Sequence, residues 1–245
     1  MYRIFLALTL LPFASAFAVT PFVSVGMAPM VSIATNEHHN LEGFNVETLF
    51  FSYAGNATAG VRTSRFEWFA RYVWSNSYAT SEYTTSYEFA PTYDTTYRNY
   101  EINRLKERKL LLGGHWVIAQ DHNNRVRSYV GGGLMAGISE WNVRLKTEAR
   151  TFYYEDQTRV SEEISNYVYT LDSGYDYGGF VELGAVLKVY QMLFVEFQTQ
   201  GEIHHSTITD WDMEDSPENE GSYLIVEPRF SLGLRWDIRL PKSHN

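Results

Sequence analysis

The sequence predicts an all-β protein, an eight-stranded antiparallel up-and-down transmembrane β-barrel with long extracellular hairpins. Three observations predict this fold. An export signal opens the chain, apolar residues recur at every second position in eight segments, and long connections between those segments alternate with short ones. Only helices and closed barrels satisfy all their backbone polar groups in lipid, and no apolar run beyond residue 18 is long enough for a spanning helix.

The first 18 residues have the features of a secretory signal peptide. Arg3 supplies positive charge, residues 4–13 are almost purely apolar, and small-residue cleavage motifs end at Ala16 and Ala18. The apolar run is too short to span a membrane, and a buried N-terminal helix or strand is the alternative interpretation. We therefore predict a signal peptide over 1–18, cleavage near Ala18, and one barrel domain over 19–245 in the outer membrane.

The overall composition excludes several classes of protein. The chain has 20 Lys and Arg residues against 29 Asp and Glu residues, a net charge of −9, which argues against a nucleic-acid binder. Cysteine is absent, so disulfides and thiolate metal sites are excluded. Aromatic residues make up 16% of the chain, and Tyr and Trp are enriched where membranes meet water.

Alternation of apolar and polar residues predicts the individual strands. In the last of them Leu232, Leu234 and Trp236 share one face, while Gly233 and Arg235 occupy the other. In a transmembrane barrel the apolar face meets lipid and the polar face the lumen. Eight such segments give the even count of single-chain bacterial barrels. They cover residues 21–33, 46–62, 66–74, 110–118, 130–138, 181–189, 193–199 and 224–240.

The connections provide an independent test, because a barrel with both termini in the periplasm has short turns on that side and long loops outside. The short ones fall at 63–65, 120–126 and 190–191, and the long ones at 35–45, 75–105, 140–176 and 202–222. Two of the long connections are rich in Thr and Tyr, which favours β structure. They predict a protruding hairpin sheet with turns near Pro91 and at residues 155–157. A short helix over 102–112 is the alternative for one segment.

Several segments resemble known small barrels. Residues 129–137, Tyr-Val-Gly-Gly-Gly-Leu-Met-Ala-Gly, resemble the Gly-rich fifth strand of OmpA-like and OmpX/Ail-like porin-type barrels, and residues 178–185 and 193–196 resemble the next two strands. Residues 230–238 are similar to the C-terminal signal read by the outer-membrane assembly machinery, although no terminal Phe follows. The resemblance implies an eight-stranded barrel without an enclosed cofactor, whose protruding sheet serves adhesion or defence against host factors.

Charged residues on the polar phase form the first candidate site. An eight-stranded barrel is only wide enough for its own side chains, and charges in that space must pair. We expect a plugged lumen held by ion pairs, and a small gated pore is the alternative. The residues concerned are Glu67, Arg71, Glu182, Glu196, Glu227, Arg229 and Arg235.

A His-x-Ser triplet is the one arrangement that suggests catalysis. His204 and Ser206 share a face of their strand, so the imidazole could act as base towards the hydroxyl. The triplet resembles that of PagL-type lipid A deacylases, and Glu218 could stand where that family has its third triad member. Thr207 departs from the Asn of that family. A lipid A deacylase-like esterase is therefore an alternative function, against polar residues at the barrel rim.

The Tyr-rich hairpin is the candidate recognition surface, because Tyr gives large contact area at low entropy cost. The alternative is that these tyrosines only anchor the barrel at the membrane–water interface. The favoured function is a non-enzymatic structural and surface-interaction barrel. Its expected partners are outer-membrane lipids and lipopolysaccharide, a surface ligand or host protein, and the assembly machinery, with no cofactor and no metal. The recognition residues are Tyr78, Tyr83, Tyr87, Tyr93 and Tyr97.

Overall fold

The computed structural model describes residues 19–36, 46–89, 93–153, 159–207 and 223–238, so the predicted signal peptide lies outside the described residues. The described chain forms eight strands. They are β1 (Thr20–Asn36), β2 (Val46–Arg62), β3 (Phe66–Phe89), β4 (Tyr93–Gln120), β5 (Val126–Tyr153), β6 (Arg159–Tyr190), β7 (Leu193–Ser206) and β8 (Tyr223–Asp237).

The eight strands close into one barrel in sequence order. Every strand runs antiparallel to both neighbours, and β8 returns to pair with β1, where Arg229 lies opposite Met30. The predicted eight-stranded antiparallel barrel is thereby confirmed. Among the residues described, no helix is long and apolar enough to cross a membrane, a result that does not bear on crossing by strands.

Three short connections, 63–65, 121–125 and 191–192, lie together at what we name the turn end of the barrel. Backbone hydrogen bonds close them, as where the Thr63 N–H donates to the Phe66 carbonyl over 2.7 Å. Asn124 and Gln191 take the positive φ values of 54° and 30° that such tight reversals need. The short connections therefore fall where the sequence predicts them. The opposite end is named the hairpin end.

Strands β3 to β6 are much longer than the other four. They span 24, 28, 28 and 32 residues, against 17, 17, 14 and 15 for β1, β2, β7 and β8. At the hairpin end the last β2–β3 pair joins Phe51 to Tyr78, and the last β6–β7 pair joins Ser206 to Asp176. Beyond these pairs the four long strands continue as a protruding sheet, formed by residues 79–89, 93–103, 143–153 and 159–175.

The alternative of a helix over 102–112 is wrong, because β4 runs through the segment without a break. Ile102 pairs with Thr80 on one side and with Arg144 on the other, so the backbone groups here are used by two ladders. The charges at helical spacing, Arg104 and Arg108 among them, instead share one face of a strand.

The distribution of side chains is inverted relative to a water-soluble protein. Large apolar residues point outward, and Leu134 is 75% exposed. Charged residues such as Arg71 and Glu182 are buried in the lumen. Aromatic rings gather on the outer wall at the turn end, where the Phe66 ring stacks on Trp68 and meets Trp116 edge-on at 4.7 Å. This is the arrangement of a barrel surrounded by lipid.

Candidate functional site

A chain of charged residues crosses the lumen near the turn end. Arg235 on β8 donates two hydrogen bonds to Glu67 on β3, over 2.7 and 2.8 Å. His115 on β4 contacts Glu67 through Nδ1 at 3.1 Å and Glu182 on β6 through Nε2. Arg71 closes the chain with a 2.7 Å bond to Glu182. Side chains of β3, β4, β6 and β8 are thus joined through one network.

Aromatic rings and glycines make room for this network. The Arg235 guanidinium lies 3.6 Å from the centre of the Phe22 ring, and Tyr129 stacks on His115 at 3.9 Å. Gly131 and Gly184 face these rings, and an ideal Cβ at Gly184 would come within 2.3 Å of the Tyr129 ring. Glycine at these positions is therefore required by close approach of a neighbouring side chain, not by backbone conformation.

A second cluster, named the upper cluster, lies closer to the hairpin end. It comprises Glu107, Lys109, Glu202, His204, Glu227 and Arg229 from strands β4, β7 and β8. The Lys109 ammonium lies 2.7 Å from Glu107 and 3.5 Å from Glu202, and it also contacts Glu227. Arg229 pairs with Glu202. Hydroxyl groups complete part of the cluster, since Ser32 donates to Glu227 over 2.6 Å.

All seven lumen residues named from the sequence therefore point inward, and the structure groups them into two levels. Glu67, Arg71, Glu182, Glu196 and Arg235 lie in the network near the turn end, and Glu227 and Arg229 lie in the upper cluster. Sequence reasoning missed His115 and Lys109, although both stand on the same alternating phase of β4 as the buried Glu107. The alternating phase of β4 is the signal that assigns both residues to the lumen.

The His-x-Ser triplet also lies in the lumen. His204 and Ser206 are buried, and the Ser206 hydroxyl lies 2.9 Å from that of Ser139. Ser139 in turn donates to Asp176 over 2.9 Å. Glu218, the predicted third member, lies outside the described residues. A lipid A deacylase must present its nucleophile to the membrane, whereas both described members face inward, so the esterase stays a prediction to which this geometry adds no support.

Apolar residues close the lumen above the upper cluster. Ala34, Phe50, Leu105 and Ile225, here named the mouth cluster, pack together and are fully buried. Leu105 and Ile225 stand two residues beyond Glu107 and Glu227 on the same strand faces, so the apolar layer lies directly on the charged one. Over the described part of the chain, the interior is filled by its own side chains.

Of the five tyrosines predicted to bind a ligand, the structure describes the side chains of two. Tyr78 is 46% exposed on the outer wall, where the protruding sheet begins. Tyr97 is partly buried on β4. Tyr83 and Tyr87 lie on β3 and Tyr93 begins β4, but their side chains are outside the described part of the structure.

No family and no curated protein matches the sequence of this chain. The chain is similar to solved outer-membrane barrels. Neisserial surface protein A is 11% identical over 89% of this chain and 97% of that one, with a TM-score of 0.39.

Two further structures give the same result. OprG, an outer-membrane protein from Pseudomonas aeruginosa, is 9% identical over 90% and 97% of the two chains, with a TM-score of 0.40. Ail, the attachment invasion locus protein of Yersinia pestis, is 10% identical over 89% and 98%, with a TM-score of 0.32. At these identities and TM-scores, nothing about the function of this chain follows from the likeness.

Proposed function

We propose that this protein is an outer-membrane scaffold barrel that binds anionic groups at the cell surface through the outer face of β4 and β5. The phosphates of lipopolysaccharide in the surrounding leaflet are its proposed ligand. Export and removal of the signal peptide near Ala18 would deliver it there, with the hairpin end outside. The proposal keeps the non-enzymatic surface role expected from the sequence and gives it a defined face.

The observation that carries the proposal is the charge of this outer face. Outward residues on β4 and β5 are apolar up to Leu110 and Ile138 and become charged immediately beyond them. The described charges on that face are seven cations and two carboxylates, an excess of five, in a chain with a net charge of −9. They are Arg98, Arg104, Lys106, Arg108, Arg144, Lys146 and Arg150, with Glu140 and Glu148.

The two carboxylates are already engaged by lysines of the same face. Lys106 donates to Glu140 and Lys146 to Glu148, each over 2.6 Å. The hydrogen bond from Lys106 lowers the pKa of Glu140, and that from Lys146 lowers the pKa of Glu148, so both stay ionised at neutral pH. An anionic ligand would therefore meet the remaining positive charge of the arginines.

One of these arginines is held in place before any ligand binds. Arg104 donates from Nε to the side-chain oxygen of Asn76 over 2.8 Å, and its guanidinium lies 5.4 Å from the centre of the Tyr78 ring. Asn76 donates in turn to the Tyr78 hydroxyl over 3.1 Å. Arg104 therefore loses less side-chain conformational entropy when it binds a ligand. Its planar guanidinium suits bidentate contact with phosphate. Tyr78 would therefore contribute to the proposed phosphate site by positioning Arg104.

The test is the affinity of the detergent-folded barrel for lipopolysaccharide micelles. We expect the triple variant Arg104→Gln, Arg108→Gln, Arg144→Gln to bind at least about tenfold more weakly, and wild-type binding to weaken as salt screens the charges. The control, Arg65→Gln with Arg125→Gln, removes exposed arginines at the turn end. A folded triple variant that binds as tightly as the wild type would refute the proposal.

A trimmed protein separates this basic face from the tip of the protruding sheet. Glu82 pairs with Tyr100, Tyr100 with Lys146, and Lys146 with Asn166, so these four residues form one level across the sheet. Replacing 83–99 and 147–165 by Asn-Gly turns preserves that register.

The trimmed barrel should fold, give a heat-modifiable gel shift, and retain most of its lipopolysaccharide binding, because Arg104, Arg108 and Arg144 remain. Binding to host cells is the separate measurement for the predicted tyrosine surface. Its loss would assign adhesion to the tip, and its persistence would contradict the role predicted for Tyr83, Tyr87, Tyr93 and Tyr97.

A further inference from the structure

We propose that the upper cluster is a binding site for one divalent transition-metal ion, held by His204, Glu107 and Glu227. One ring nitrogen of His204 and one carboxylate oxygen from each of the two glutamates lie within 4.8 Å of one another, and all three residues are buried in the lumen. An imidazole with two carboxylates is a donor set that suits Zn²⁺ and its first-row neighbours.

His204 is the first reason for this assignment. Its side chain is 1% exposed, and neither ring nitrogen makes a hydrogen bond to the described part of the chain. A buried polar group without a partner is unfavourable, so native structures rarely contain one. Its Nε2 atom lies 3.5 Å from Glu107 Oε1. That separation is about the spacing of two neighbouring ligands at bonds of roughly 2.0–2.2 Å around a tetrahedral ion.

The charge at this level of the lumen is the second reason. Among the described side chains, the carboxylates of Glu107, Glu202, Glu227 and the nearby Asp176 face only two permanent cations, Lys109 and Arg229. With all four carboxylates ionised, two negative charges are uncompensated in a confined, buried space, where unpaired charge is costly. Protonation of His204 would supply one positive charge. A divalent ion with a neutral His204 supplies both and uses the free imidazole as a ligand.

Two serine hydroxyls would hold the glutamates in place around the ion. Ser75 donates to Glu107 Oε2 over 2.7 Å, and Oε1 lies 2.7 Å from the Lys109 ammonium and 3.5 Å from His204 Nε2. Ser32 holds Glu227 through Oε1. Such outer contacts orient metal ligands and raise affinity. The Lys109 ammonium already contacts the other two oxygens, Glu107 Oε1 and Glu227 Oε2, so it would move aside as the ion binds them.

The position of the site predicts how it would be filled. The mouth cluster covers it at the hairpin end, and the lumen below it is packed. An ion would therefore enter while the barrel closes and then exchange slowly, and binding would stabilise the closed barrel over the unfolded chain. The ion would be structural, joining β4, β7 and β8.

The experiment uses the mature chain folded into detergent with Zn²⁺, Mn²⁺, Ca²⁺ or no added metal, followed by gel filtration and elemental analysis. We expect one Zn²⁺ per folded chain, and less retention when Zn²⁺ is added only after folding. His204→Gln should reduce affinity by about 100-fold or more. His205→Gln is the matched control, because His205 is the next residue along β7 and faces the outer wall, stacked on Tyr177.

Two results would overturn the proposal. One is folded wild-type protein that retains none of the three ions, and the other is equal Zn²⁺ retention by the His204→Gln and His205→Gln variants. If His204→Gln does not fold, the decision passes to wild-type protein folded with Co²⁺. A visible absorption spectrum of a His-carboxylate site supports the assignment, and its absence from folded, gel-filtered protein refutes it. Neither measurement depends on whether the outer face binds lipopolysaccharide.

Discussion

Arg235 and Glu67 face each other across the lumen in a bidentate pair, although 168 positions separate them in the chain. The pair connects β8 to β3, which are not neighbours in the sheet. Such a contact joins strands that share no backbone hydrogen bonds, so it stabilises the closed barrel.

Breaking this pair from one side should be strongly destabilising. Arg235→Met leaves Glu67 with His115 as its remaining partner, and Glu67→Gln leaves the Arg235 charge incompletely compensated. We expect each change to cost about 3–5 kcal/mol, and the double variant to cost less than the sum because both charges of this pair are then removed together. Urea unfolding followed by tryptophan fluorescence measures all four proteins. Additive costs would mean that the two residues act independently.

The space beside two glycines predicts different effects of an added methyl group on stability. A Cβ at Gly184 would meet the Tyr129 ring at 2.3 Å, whereas a Cβ at Gly201 would have no heavy atom within 4 Å. Gly184→Ala should displace Tyr129 from its 3.0 Å hydrogen bond to Glu196 and cost about 1–3 kcal/mol. Gly201→Ala, the control on the outer face of the adjoining strand, should be neutral or slightly stabilising. Equal stabilities of the two variants would contradict this packing.

Because lipid contacts the outer wall, the loss of unfolding free energy caused by a charge there should depend on the depth of that charge in the membrane. Leu134 lies about midway along the outward apolar run of β5, whereas Ile118 lies two residues from the end of β4 at the turn end. Leu134→Arg should cost about 2–4 kcal/mol in vesicles and Ile118→Arg about 0–1 kcal/mol. The unfolding free energy in phospholipid vesicles is the measurement. Two arginine variants as stable as the wild type would mean that water, not lipid, surrounds this wall.

Packing of the lumen bears on the small gated pore suggested by the alternating charges. The mouth cluster and the ion-pair network fill the described interior, so we expect reconstituted wild-type protein to give no steady conductance in a planar bilayer. Replacing Phe50 and Leu105 by Ala removes two of the fully buried side chains at the mouth, and serves as the comparison. Regular conductance steps from the folded wild type would support the pore instead.

Strand positions could be predicted because lipid and lumen impose opposite polarity on alternate residues. Alternation in the sequence assigns Val181 and Glu182 to opposite faces of their strand. In the structure Val181 is exposed on the outer wall and Glu182 is buried in the lumen. Alternation fails beyond the lipid. From Arg104 to Arg108 the outward residues of β4 are charged while Leu105 faces inward, so the apolar stripe changes face and the pattern resembles a helix.

The grouping of the lumen residues could not be predicted in the same way. Alternation assigns a residue to a face but not to a height, because height depends on the stagger between strands. Glu67 and Arg235 meet only through the register of the closed barrel, and so do His204 and Glu107. A bulge between Glu140 and Asn142 adds a further shift, since it changes which residues of β6 lie opposite β5.

The unequal lengths of the described strands make the two halves of the barrel differ in height at the hairpin end. The four long strands are consecutive, so the described strands extend further on one half of the rim than on the other. The outer face of that raised wall looks sideways over the adjacent leaflet. Neighbours diffusing in the plane of the membrane would therefore meet this basic wall from one direction, with the shorter described strands on the opposite side. That asymmetry would orient the barrel within a crowded outer membrane without any dedicated oligomer interface.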